Sequence, residues 1–401
     1  MKILIATHHL DEYAGSEIFT FNIAKELKKK GNDVSIYSPI LGRMSKIVKE
    51  NNIKVTNNIL DYKKEKFDII HAQHNITAII VRSVFPEIPM IYFVHGILPE
   101  LEQPPSVRLG ISKYLVVSEE IKNHLNKKYN VSGSDIEIVR NYIDTKKFYC
   151  KESIKREKPK QLLIVSNHYH KKVKNIIESS CQELDINVTH IGLPENPVLD
   201  VENYINKSDI VVTLGRGVLE GMACEKNIIV FDKHGGDGFL DINNYFEIRK
   251  NNFSGRRYKK DYGKNEFKKE ILKYDYSIGK KLRKIVLKNH TDNIIDDMEK
   301  IYNETTRNQK HNSQIQQGQL YNEINFLEKN YNNILNIYKK TVNDLRKIED
   351  EINTKNNLIT SQNKDLEILN KLNNTFLGRI NWTIHNPKKF MKKYISKHKN
   401  V

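Results

Sequence analysis

The chain has 401 residues, enough for two or three domains at roughly 150 residues each. Lys and Arg (66) outnumber Asp and Glu (49), leaving a formal +17, and 38% of residues are apolar against 29% charged. Globular proteins run at roughly 45–50% apolar, so the composition describes a folded part diluted by a long solvated one. Three cysteines, Cys150, Cys181 and Cys224, form no metal spacing and exclude a disulfide framework.

The first residues, Lys2 to Ala6, form a short apolar strand of the kind buried in a parallel sheet. The run is too short for a signal-peptide core. The stretch from Ile76 to Leu98 is broken by Arg82, Pro86, Glu87 and Pro89, whereas a membrane span needs about 20 uninterrupted apolar residues. The expected location is therefore cytoplasmic, with peripheral attachment to the inner face of the cell membrane. A loop with Ala14-Gly15-Ser16-Glu17 leads into a helix bearing Phe19, Ile23, Ala24 and Leu27, and Gly31 stands where that helix should stop. Strands are predicted at 33–37, 68–71, 90–94, 114–117 and 136–139, with helices near 75–83 and 118–127. This alternation argues for an α/β fold with an open parallel sheet covered on both faces.

Residues 150–160 are charged and apolar-poor and read as a linker between a domain at 1–149 and one at 161–305. In the second, strands are predicted at 162–165, 188–191, 210–212 and 228–231, with helices near 172–183 and 217–224. Further helical segments run to about 305 and could pack back on either domain. From 315 to 377 the pattern becomes heptad. Ile324, Tyr331, Tyr338, Leu345, Ile352, Ile359 and Leu366 recur every seven residues, and Leu320, Leu327, Ile334, Ile348 and Leu369 follow three residues behind. With no Pro or Gly between Gln319 and Leu377, a coiled coil and a homo-oligomer are expected, weakened at Thr341, Lys355 and Gln362. Residues 378–401 hold seven Lys or Arg and no acid, together with the only tryptophan. Trp382, Lys388, Lys389, Lys392 and Lys393 are expected to touch an anionic membrane surface.

Two segments carry chemistry. Gly15 between a strand and a helix allows backbone amides to approach an anion at a helix N-terminus. The second, Ser208 to Ala223, reads as strand, Gly-rich turn and helix. There Arg216 suits a phosphate in bidentate fashion and Glu220 a ribose diol. His234-Gly235-Gly236-Asp237-Gly238 follows the next strand at the carboxyl edge, where ligands of open α/β sheets bind.

In their order these stretches resemble a GT-B glycosyltransferase of the large retaining, nucleotide-sugar-dependent family found in bacterial cell-surface polysaccharide synthesis. They are Gly15-Ser16-Glu17, Asp68 to His71, Val94-His95-Gly96, Val116 to Glu119, Val139 to Asp144 with Phe148, Tyr204 to Asp209, Leu219 to Ala223 and His234 to Gly238. The resemblance implies two Rossmann-like domains, a nucleotide-diphosphate sugar as donor and a glycan or lipid-linked acceptor. It also implies transfer with retention. It puts Gly15 and His95 near the transferred sugar, Lys172, Gly235 and Gly236 at the donor, and Glu220 on the ribose. Two features depart from the family pattern. The first carboxylate of its E-x7-E motif is missing near Val212–Thr213, and Asn167 replaces an arginine. Arg216 is expected to supply the positive charge that Asn167 lacks, acting with His95 in catalysis. No D-x-D motif stands near a strand end, so neither metal nor cofactor is expected. Two other readings compete: a basic scaffold or nucleic-acid binder, and a GT-B sugar-nucleotide epimerase. The absence of nucleic-acid motifs argues against a nucleic-acid partner.

Overall fold

The structure is a computed structural model and describes residues 1–105, 109–152, 155–167, 170–193, 196–289, 293–307, 317–389 and 392. The chain divides into two compact units, Met1–Asn325 and Phe326–Val401.

The first unit contains two large sheets and a small one in which His9–Leu10 and Ile40–Leu41 pair in parallel. The N-terminal lobe runs β1 (Lys2–Ala6), β2 (His9–Leu10), α1 (Gly15–Lys29), β3 (Asp33–Tyr37), β4 (Ile40–Leu41), α2 (Arg43–Glu50), β5 (Lys54–Thr56), β6 (Ile69–Ala72), α3 (Asn75–Val84), β7 (Met90–Val94), β8 (Ile111–Val116), α4 (Glu119–Tyr129) and β9 (Ile136–Ile138). Its seven strands lie in the order β5-β3-β1-β6-β7-β8-β9, all parallel. The order reverses between β1 and β6, which opens a crevice at their carboxyl ends. β7 (MIYFV) is buried along its whole length, as a central parallel strand must be. Local signals agree with the elements: Ser118 caps α4 through its side chain, accepting from the Ile121 N–H, and Asn130 ends it in the left-handed conformation.

The C-terminal lobe runs β10 (Gln161–Val165), α5 (Lys171–Gln182), β11 (Asn187–Ile191), α6 (Val201–Lys207), β12 (Ile210–Thr213), α7 (Arg216–Ala223), β13 (Asn227–Asp232), β14 (Gly235–Phe239), α8 (Tyr245–Arg249), α9 (Lys264–Ile271) and α10 (Tyr276–Asn289). The sheet order is β11-β10-β12-β13-β14, with β14 antiparallel to β13. The fold is thus two Rossmann-like lobes, followed by α11 (Asn293–Arg307) and the long α12 (Gln317–His385).

Four features differ from the sequence reading. The short β5 and α2 escaped it, because neither is long enough to display a period. The hydrophobic core changes lobe between Tyr142 and Ile143, ahead of residue 149: Ile143 and Phe148 already pack into the C-terminal core. The charged linker is pinned, since Asp209 accepts hydrogen bonds from Arg156 Nη1 (2.8 Å) and from the Lys160 and Gln161 amides (2.7 and 2.9 Å). Finally, α11 leaves the C-terminal lobe and returns to the first, burying Ile295, Met298 and Tyr302 in the N-terminal core. There the Tyr302 hydroxyl and His71 Nδ1 share a 2.5 Å hydrogen bond.

The two lobes are also tied side by side. Arg256 donates through Nε and Nη2 to the two oxygens of Glu120 at 2.9 and 2.8 Å, and Asn141 donates to Asn252 Oδ1 at 3.1 Å.

In the second unit α12 continues as one helix to His385, past the expected end at 377. Ile334, Tyr338, Leu345, Ile348, Ile352, Ile359, Leu366 and Leu369, the heptad positions, are all exposed. Among the described residues no helix is long and apolar enough to cross a membrane. Lys388, Lys389 and Lys392 are exposed, while Lys393 and the side chain of Trp382 lie outside the described residues.

Candidate functional site

The carboxyl ends of the two sheets face each other across a cleft of about 470 Å³. On the N-terminal side its wall is Tyr13, Ala14, Gly15, Ser16 and Ile18 from the start of α1, with Pro99 and Glu102 from the loop after β7. α1 begins without a side-chain cap, so its first backbone N–H groups have no protein side chain to serve them. A Cβ added at Gly15 would meet nothing within 4 Å. Packing does not require this glycine, and its effect is to leave the helix N-terminus bare to the cleft.

The opposite wall is the turn after β12 and the start of α7. Gly215 adopts φ +55°, which turns the chain from strand to helix. Gly217 then brings α7 tight against the strand end, where a Cβ would stand 2.2 Å from Thr213 Oγ1. Thr213 is buried, its hydroxyl donating to the Val165 carbonyl at 2.9 Å. On this first turn Arg216 and Glu220 form an ion pair, Nε to Oε1 3.0 Å, with side chains 21% and 12% exposed. Burial pushes the Glu220 carboxyl above the usual range, and the Arg216 guanidinium opposes that shift. The two residues read separately from the sequence therefore act as one unit. Phe231 and Asp232 at the end of β13 complete the wall.

His95 lies beyond the end of β7, behind the α1 wall and not in the cleft lining among the described residues. Gln73 Nε2 donates to Thr20 Oγ1 (2.8 Å), so the amide oxygen of Gln73 faces His95 and accepts from its Nε2–H at 2.7 Å. Thr20 in turn donates to the Ser16 carbonyl at 2.8 Å. The chain of bonds links the imidazole to the first turn of α1, and burial pushes its pKa down to about 3. His95 is thus neutral at physiological pH, with Nδ1 as its acceptor nitrogen.

Three predicted donor contacts fall elsewhere. Lys172 is exposed on α5 and does not line the cleft. Gly235 and Gly236 begin β14 and pair with Asp232 and Phe231. A Cβ at Gly236 would stand 2.6 Å from the Tyr262 ring, so that glycine serves strand-to-side-chain packing. A Gly-rich stretch after a strand looks the same in sequence whether it cradles a ligand or starts an antiparallel edge.

Sequence reasoning missed Glu102. It lines the cleft, and its Oε2 stands 2.8 Å from where a Gly96 side chain would begin. Burial pushes its carboxyl up to about 7. Gln103 anchors this loop, donating to the Gly96 and Pro99 carbonyls at 3.1 Å each. The only signal was a pair of acids, Glu100 and Glu102, in a Pro-rich loop. Asn167 lines the cleft and accepts from the Leu193 amide at 3.0 Å.

Comparison with known proteins bears on this arrangement. Residues 13–147 match the model of Glycosyltransferase Family 4. Among solved structures, a glycosyltransferase from Rickettsia africae superposes with TM-score 0.56 at 18% identity, covering 77% of this chain and 99% of that one. HepE from Anabaena, solved with UDP and glucose, gives TM-score 0.57 at 14% identity, with 76% and 100% covered. TarM from S. aureus gives 0.51 at 9% identity, with 75% and 99% covered. Among curated proteins none matches. The likeness establishes a GT-B fold, and the family match is confined to residues 13–147, within the N-terminal lobe.

Proposed function

We propose that the protein is a glycosyltransferase that moves a sugar from a nucleoside-diphosphate donor to a glycan or lipid-linked acceptor, with retention, in cell-surface polysaccharide or glycoconjugate synthesis. The observation that carries this reading is the Arg216–Glu220 pair at the start of α7, facing the bare N-terminus of α1 across the cleft. Sugar transfer requires that the departing diphosphate be met by positive charge as its bond to the anomeric carbon breaks. Arg216 and the helix N–H groups supply that charge as fixed dipoles and a cation. In this role they stand where a metal would otherwise act. Glu220 accepts hydrogen bonds from the ribose hydroxyls, which requires it to exchange part of its contact with Arg216 for the nucleotide. Neutral His95 holds the α1 N-terminus in place through Gln73 and Thr20.

The unmatched apolar face of α12 supports assembly into a homo-oligomer, and the basic tail supports attachment to an anionic membrane surface on the cytoplasmic side, where a lipid-linked acceptor resides.

A thermal-shift screen across nucleoside diphosphates and nucleotide sugars tests the reading, with UDP first because a structural neighbour was solved with it. A nucleotide should raise Tm, and Glu220→Ala should weaken that nucleotide by about 1.5–3 kcal/mol, the range for hydrogen bonds to charged groups. Absence of a shift with any nucleotide refutes the donor site.

A further inference from the structure

One helix of the C-terminal lobe is basic without a compensating acid. α10 carries Lys280, Lys281, Arg283, Lys284 and Lys288 in 14 residues and no acid. Its inner side is fixed: Leu282 and Val286 are fully buried, and a Cβ at Gly279 would stand 1.9 Å from the Glu225 carbonyl oxygen. Arg283 donates to the Ala223 carbonyl at the end of α7. The helix cannot roll, so packing decides which face turns outward. That face bears Lys280, Lys281, Lys284 and Lys288, all exposed.

Neighbouring lysines of the same lobe are neutralised. Lys264 and Lys268 hold Glu183 at 2.5 and 2.9 Å, and Lys273 holds Glu270 at 2.6 Å. Among the described residues the four outward lysines of α10 have no acidic partner. Apolar side chains stand with them: Tyr276 and Leu287 are each 41% exposed. Positions 276, 280, 284 and 287 follow the spacing of a single helical stripe about 17 Å long. It borders an open groove of about 460 Å³ whose other wall is Cys150 and Glu225.

We infer that the outward face of α10 is a lipid-contact surface, whose lysines bind the phosphates of an anionic bilayer while Tyr276 and Leu287 enter the interfacial layer. A purely electrostatic partner such as nucleic acid would use the lysines and leave the two apolar side chains in water. A bilayer uses both. The inference is independent of the donor-site reading and of the basic tail.

Flotation of the full-length protein with phosphatidylcholine vesicles containing about a third phosphatidylglycerol tests it, with pure phosphatidylcholine vesicles, random-sequence duplex DNA and heparin as further arms. Three full-length variants accompany the wild type. They are Lys280→Gln/Lys284→Gln/Lys288→Gln, Tyr276→Ser/Leu287→Ser, and a tail variant with Lys388, Lys389, Lys392 and Lys393 changed to Gln. The anionic vesicles should bind in a salt-dependent way. Loss of about fivefold per lysine gives about a hundredfold weakening in the triple variant. The Ser variant should weaken vesicle binding by at least fivefold and leave DNA and heparin unaffected. Far-UV circular dichroism and Tm confirm that each variant is folded. The inference is overturned if the triple variant floats like wild type, if only the tail variant loses binding, or if the Ser change leaves vesicle affinity unaltered.

Discussion

The Arg216–Glu220 pair makes a pH-dependent prediction. Arg216→Met keeps an unbranched apolar stem and removes the cation, leaving a carboxyl that is 12% exposed without its 3.0 Å partner. Breaking a fully buried ion pair from one side costs about 3–5 kcal/mol. Residual access to water reduces the cost here to about 2 kcal/mol. At roughly 2 °C per kcal/mol for a body of this size, Tm should fall by about 4 °C at pH 8. The sign with pH follows from the direction of the shift. The Glu220 pKa is already raised in the folded state by burial, and removing Arg216 raises it further. A carboxyl with a raised folded-state pKa favours the fold while it is protonated, and that contribution is lost as pH rises through the folded value. The deficit of the variant should therefore be large at pH 8 and shrink towards pH 5. Arg216→Met/Glu220→Gln, which leaves no charge to bury, should recover most of the loss at pH 8. The assay is differential scanning fluorimetry of the three proteins across this pH range. An equal deficit at pH 5 and pH 8, or a double variant no better than the single one, refutes the coupling.

Glu102→Gln should raise Tm above pH 7 and leave it unchanged near pH 4. In the wild type the carboxyl is lifted from 4.5 to about 7, so ionising it is unfavourable by about 3 kcal/mol; an unchanged Tm at pH 8 counts against the burial argument. Gly217→Ala should destabilise by about 1–3 kcal/mol and lower nucleotide affinity, because its Cβ would meet Thr213 Oγ1 at 2.2 Å. A variant with wild-type Tm shows that Thr213 simply turns aside. Tyr302→Phe should cost about 1–2 kcal/mol by depriving buried His71 of its hydrogen bond, measured as a fall in denaturant midpoint at constant slope. Ending the chain after Asn325, at the boundary of the first compact unit, should yield a monomer that retains nucleotide binding; an unchanged oligomeric mass by light scattering places self-association elsewhere.

The parallel strands were legible because burial on both faces writes them as unbroken Val, Ile and Leu runs. β13, NIIVFD, is buried throughout and was found from such a run. β14, GGDGF, shows no such run, and its three glycines imitate a ligand loop. Arg82 illustrates a further limit. It breaks an apolar stretch in sequence, yet it is buried and donates to the carbonyls of Phe85, Pro86 and Ile88 at 3.2, 2.8 and 2.7 Å. A charge that satisfies loop carbonyls in the interior cannot be told from a surface charge by composition. At the site, Arg216 and Glu220 were legible because they open a helix that follows a strand and a Gly-rich turn, although their pairing four residues apart appears only in the structure. Glu102 was not, since it reaches the cleft from a loop and nothing in its neighbourhood has a period. The concentration of charge on α10 was visible in the sequence but overshadowed by the tail, whose seven basic residues drew the charge argument to the chain end.

The return of α11 to the first lobe bears on how such proteins are recombined. A chimera that joined residues 1–142 of this chain to the C-terminal half of another protein of the same fold would carry over the foreign counterpart of α11. The cavity vacated by Ile295, Met298 and Tyr302 would then be filled by side chains that never evolved against it. The exchangeable cassette is therefore the interior stretch from Ile143 to the end of α10, inserted between two host segments. The C-terminal sheet can be transplanted with that cassette, while the N-terminal lobe keeps both of its native ends.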